Sequence, residues 1–256
     1  ALGRPDEAIE HFQKALLLRS LLEAKGATVL LTRTSNDTTG YPNPDDPDEP
    51  SLTARWQLAN ANNVHWFHSI HSNAFNGVTN YTLVLLKENI NTRQPAFPEA
   101  LTMSNIISPK IRGNLRTTSA IVALDYTFYG GPNGGFNLGV LNGLNMPGEL
   151  SEGSFHDVPA ETRRLMNNAY RKMEAYAIRN SFMQYYAVPA DTLTNRMMVL
   201  YPVAGSVVYE QTTDNSVAPS APVWDTTSVA LPYPMAMRVV LACVFLTLPK
   251  ATIRMA

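Results

Sequence analysis

Leu16-Leu17-Leu18-Arg19-Ser20-Leu21-Leu22-Glu23-Ala24-Lys25-Gly26, running straight into Ala27-Thr28-Val29-Leu30-Leu31-Thr32, is the stretch that decides the fold. Ile9, Phe12, Leu16, Leu17 and Leu21 recur at helical spacing, and Gly26 supplies the stop. Thr28 to Thr32 follows at once as a short apolar run, the signature of a buried strand. A helix that ends on glycine and feeds such a strand is half of an α/β unit. Pro5 and Asp6 open the helix, which the spacing carries to about Lys25.

Working outward, the same alternation continues. Asn36 to Pro50, with Pro42, Pro44, Pro47 and Pro50 among Asp45, Asp46, Asp48 and Glu49, reads as a solvated loop. Ser51 caps a helix over 52–62, and strands are expected at 64–70 and 81–86. A helix is expected at 98–112, a tight loop at Gly130-Gly131-Pro132-Asn133-Gly134-Gly135, and a helix or a strand at 138–144. A short strand at 149–152 and one long helix at 160–186 complete the pattern. After Val188 the character changes: short β-like runs at 199–208, then a Ser-, Thr-, Pro- and Ala-rich stretch at 212–234 that suits a linker. This places a boundary near residue 190.

Composition narrows the function classes. Hydrophobic residues make up 45% of the 256 and charged residues 16%, enough for a packed core. A net charge of −1 gives no electrostatic case for nucleic acid or an anionic membrane. The single cysteine, Cys243, excludes an internal disulfide and a multi-cysteine metal site. The run Val239 to Leu248 is too short to span a bilayer. Leu2 to Leu16 resembles one helix of a tetratricopeptide repeat, but no self-similarity at about 34 residues follows it.

Two motifs carry chemistry. Phe67-His68-Ser69-Ile70-His71-Ser72-Asn73-Ala74 is an apolar strand ending in a histidine, and strand carboxyl ends are where sites form in open α/β sheets. Alternation puts His71 on the face opposite His68. Met146-Pro147-Gly148-Glu149-Leu150-Ser151-Glu152-Gly153-Ser154-Phe155 is a second short strand, and period two puts Glu149 and Glu152 on opposite faces.

Ser69-Ile70-His71-Ser72-Asn73-Ala74 resembles the zinc motif of the Amidase_3-type N-acetylmuramoyl-L-alanine amidases. Val29-Leu30-Leu31-Thr32-Arg33, Ser51-Leu52-Thr53-Ala54-Arg55 with Ala59-Asn60, and the Met146 to Phe155 stretch match the family in order. The resemblance implies an α/β fold with an open, largely parallel sheet and helices on both faces, followed by a short β-like or disordered tail. It implies a catalytic domain over 1–189 and a linker with a partial β-rich accessory segment over 190–256. It further implies a Zn2+ cofactor held by His71 and Glu7, with Glu10 the alternative to Glu7, and Glu152 as the catalytic base. Asn73 would position the loop or the substrate. Peptidoglycan is the implied substrate, and the periplasm or cell wall the implied location. The chain departs from the family in lacking the Gly-His-Gly-Gly turn that carries the first histidine ligand, so it reads as N-terminally truncated. His11, His65, His68 and His156 match no family ligand. Another zinc carboxypeptidase or amidohydrolase, or a wall-binding homologue that does not cut, are the competing readings.

Overall fold

The computed structural model describes residues 5–32, 52–130, 135–187, 196–199, 209–212 and 238–243; for residues 5–10 and 12 and for the three segments beyond 190 the description is of the backbone. In chain order the elements are α1 (Pro5–Glu23), β1 (Thr28–Leu31), α2 (Leu52–Ala61), β2 (Trp66–Asn73), β3 (Thr82–Leu86), β4 (Glu88–Asn89), β5 (Gln94–Pro95), α3 (Pro98–Leu115), β6 (Ala120–Leu124), α4 (Asp125–Tyr129), α5 (Gly139–Asn142), β7 (Gly148–Phe155), α6 (Pro159–Leu165), α7 (Asn168–Tyr185), β8 (Arg196–Val199), β9 (Tyr209–Thr212) and β10 (Arg238–Cys243).

The helix–glycine–strand opening forms as read. Gly26 takes φ +87°, a left-handed conformation that costs glycine little, and the chain turns into β1. The main sheet has six strands in the order β1-β10-β2-β7-β3-β6. Every neighbouring pair is parallel except β3 with β7, so the sheet is mostly parallel, as expected. Helices cover both faces. On one, α1, α3, α6 and α7 pack Leu18, Leu22, Ile107, Ile111, Leu165, Met173 and Phe182 against Trp66, Ile70 and Val84. On the other, Ala59 of α2 and Val140 and Leu141 of α5 close over Phe67, Leu83, Leu85 and Leu150. The alternation of Trp66, His68 and Ile70 with Phe67 along β2 assigns those side chains to opposite layers.

The stretch 138–144, open between helix and strand, contains a short helix. Two local expectations change. The helix expected over 160–186 is two, because Asn167 takes a β conformation and its side chain accepts from the Ala169 N–H, starting α7 afresh. A strand not foreseen, β10, lies in the middle of the main sheet, while β8 and β9 pair antiparallel with each other. The loop 36–50 and residues 131–134 lie outside the described residues. No described helix is long and apolar enough to cross a membrane.

Candidate active site

His71 and Glu152 meet at the carboxyl end of the sheet. The parallel pairing of β2 with β7 runs Phe67↔Gly148 through His71↔Glu152, so the two residues are register partners and share a face. Immediately beyond, the register shifts between His71 and Asn73; such a bulge re-aims the residues at a strand end. Both side chains are buried. Burial drives His71 down to about 3, with the charges of Arg55 and Lys14 adding to it, so its imidazole is neutral. Ser69 Oγ lies 2.9 Å from His71 Nε2 and fixes the ring. Desolvation alone raises Glu152 to about 8. Tyr81 and Tyr129 lie near enough for the Glu152 charge to raise their own pKa values, second to burial.

Glu149 takes the opposite face and a different environment. Its Oε1 lies 2.6 Å from His68 Nδ1, and its Oε2 accepts from Trp66 Nε1 at 2.7 Å. Ser151 Oγ lies 3.1 Å from His68 Nε2. This row of serine, histidine and glutamate is entirely buried and ties β2 to β7 beneath α7.

The flanking motif residues hold the site together. Arg55 donates to Thr32 Oγ1 at 2.7 Å, fastening α2 to the end of β1. Asn60 donates to the Gly143 carbonyl and accepts from the Asn145 N–H, pinning the approach to β7. Asn73 Oδ1 accepts from its neighbour Ala74 N–H, and its carbonyl accepts from the His156 N–H. Asp157 accepts from the N–H groups of Phe75 and Gly77, clamping the loop after His71 to the end of β7.

Two histidines that match no family ligand sit here. His11 of α1 places Nδ1 3.1 Å from the Ile70 carbonyl and Nε2 2.8 Å from Ser72 Oγ. Ser72 Oγ is in turn 3.0 Å from His156 Nδ1. The His11 and His71 rings lie edge to face with centroids 5.9 Å apart. Nothing in the local sequence announces this, because His11 is 59 positions from Ile70. Its spacing from Glu7 is the available signal, since residues four apart share a helix face. Lys14, on that same face, pairs with Glu174 of α7 at 2.6 Å. At 100° per residue the midpoint of His11 and Lys14 falls about 10° from position 7 and about 70° from position 10. The backbone of α1 therefore puts position 7 on the face turned to the site strands.

The donor chemistry fits zinc. A ligating histidine must be neutral, as His71 is. Glu152 Oε2 is buried with no hydrogen-bond partner among the described residues, an orphan oxygen that a cation or its water would satisfy. Among the described residues no group of three His, Cys, Asp or Glu is arranged to hold a metal; the Glu7 side chain lies outside them.

The family Amidase_3, described as N-acetylmuramoyl-L-alanine amidase, matches residues 3–183. Among solved structures the chain is similar to the catalytic domain of CwlV, an N-acetylmuramoyl-L-alanine amidase from Bacillus (Paenibacillus) polymyxa var. colistinus. That likeness has 18% identity and a TM-score of 0.52 over 69% of this chain and 82% of that one. The CwlD amidase of Clostridioides difficile, solved in complex with the GerS lipoprotein, gives 20% and 0.55 over 70% and 85%. The amidase AmiC2 of Nostoc punctiforme gives 21% and 0.51 over 69% and 82%. At such identities the structures speak for the fold. No curated protein sequence matches the chain.

Proposed function

This chain belongs to the Amidase_3 family of N-acetylmuramoyl-L-alanine amidases, and from that premise we propose that it hydrolyses, with zinc, the amide joining N-acetylmuramic acid to L-alanine in cell-wall peptidoglycan. The observation that carries the reading is the pairing of His71 with Glu152, side by side on parallel strands and buried on one face. In this reading His71 and Glu7 hold the zinc, and Asn73, just past the bulge, contacts the substrate. Bound there, zinc would polarise the scissile carbonyl and acidify a water. A water adds to the scissile carbonyl carbon; Glu152 takes its proton on a carboxylate oxygen and passes it to the alanine nitrogen as the carbon–nitrogen bond breaks. Burial alone raises Glu152 to about 8; a cation held beside it would lower that value toward the working range, so that the carboxylate is ionised when it takes the proton. In this reading the protein works where its wall substrate is, in the periplasm or at the cell surface.

The test is mass spectrometry of purified glycan-bearing muropeptides incubated with the zinc-supplied chain. The expected products are the sugar with its lactyl group intact and a stem peptide beginning at L-alanine. Glu152→Gln should lose about 10²- to 10⁴-fold in rate while keeping zinc, and His71→Ala should lose the metal. Cleavage inside the stem peptide would make the chain a carboxypeptidase instead. Wall binding by the zinc-loaded chain without any cleavage would make it a non-cutting homologue.

A further inference from the structure

His11 grips the strand on both sides of His71. The Ile70 carbonyl can only accept, so His11 Nδ1 carries the proton and donates to it. Nε2 of the neutral ring then accepts from the Ser72 hydroxyl, and Ser72 Oγ accepts from His156 Nδ1–H. One direction of donation satisfies the whole row. The two anchor points, residues 70 and 72, bracket the backbone of residue 71, and the two imidazoles lie edge to face. A residue held at both neighbours has little freedom to swing, and metal ligands work when partners outside the coordination shell fix their orientation.

We propose that His11 is a positioning residue for His71, locking the end of β2 from helix α1 so that the His71 ring is aimed before any metal arrives. The inference rests on the reading of His71 as a zinc ligand but makes a claim about the metal-free chain as well. Position 7, one turn before His11 on the same helix face, is registered against β2 by the same grip.

The experiment compares wild type with His11→Leu, His11→Asn and His11→Gln in the full chain. Asn can keep a donor near the Ile70 carbonyl, and Gln can reach Ser72. The first readout is ring NMR of histidine-labelled, chelator-treated protein. Wild type should give one sharp His71 ring signal set, which His11→Leu broadens or splits and His11→Asn or His11→Gln partly restores. The second readout is zinc affinity by chelator competition, where His11→Leu should weaken binding about 10- to 100-fold. Unchanged His71 signals in the variants overturn the proposal, whatever the metal does. If wild type takes up no zinc, the hydrolase reading falls, and the ring signals still decide the role of His11. Should His11→Leu not fold, the Asn and Gln variants decide it by the same signals.

Discussion

Two carboxylates three positions apart on β7 meet opposite fates because a strand turns alternate residues to opposite faces. Glu149 is absorbed into hydrogen bonds from His68 and Trp66, whereas Glu152 has one oxygen with no partner among the described residues. The second arrangement costs stability when the carboxylate ionises. The folded state raises Glu152 from 4.5 to about 8. Its contribution is therefore fully present below about pH 4.5 and is lost as pH rises through about 8. At 1.36 kcal/mol per pKa unit the span is about 5 kcal/mol. Glu152→Gln stays neutral, so chelator-treated variant and wild type should be similar in urea melts at pH 4.5, with the variant more stable by a few kcal/mol at pH 9. Parallel pH profiles would mean that Glu152 is not held in a dry site. His71 runs the other way, its share being complete above pH 6.5 and lost as pH falls toward about 3; it is common to both proteins and cancels. Both residues were legible in sequence because a strand period and a local motif fix their faces. His11 was not, since its partners come from a strand 59 positions away that only the packing of α1 delivers.

At the scale of elements, α1 is keyed to the sheet by polar contacts rather than by its apolar stripe alone. His11 meets β2, and Lys14 meets Glu174 of α7, with both members of that ion pair fully buried. The Glu174 carboxylate lies directly on the backbone of Gly153, where an added Cβ would come 2.6 Å from it. Gly153 follows Glu152, so α1, α7 and the strand of the candidate base converge on one buried charge pair. Removing one partner strands a buried charge, and Glu174→Ala should cost about 3–5 kcal/mol in chemical denaturation. The double change Lys14→Met with Glu174→Met should recover most of that loss, since apolar pairs of similar volume often replace buried ion pairs without penalty. If the double variant is no better than the single, the charges are not compensating each other. Helix and strand identities were largely readable from period and glycine punctuation. The break between α6 and α7 was not, because the apolar face continues through it and the deciding event is one asparagine capping the next turn.

The whole molecule depends on a segment whose sequence offered little pattern. Thr28–Leu31 of β1 pairs with Arg238–Leu241, and Val239–Cys243 pairs with Trp66–Ile70, so β10 stands between β1 and the strand that carries His71. A parallel partner from so far along the chain leaves no local signal, since its register is set by two strands some 170 to 210 positions away rather than by a hairpin turn. An interior strand uses its N–H groups on both sides, and proline there removes a ladder bond and crowds the neighbour. Val240→Pro should therefore destabilise the whole sheet. At about 3 kcal/mol, the cost of a proline that breaks internal hydrogen bonding, the thermal midpoint falls by about 6–12 °C. Amide exchange in β2 should rise with it, around Ile70 and His71. Met198→Pro, in the separate β8–β9 pair, serves as the control and should leave that midpoint and the β2 amides where they were. If Val240→Pro behaves like the control, residues 238–243 are not part of the sheet in solution, and His71 is held by β7 and α1 alone.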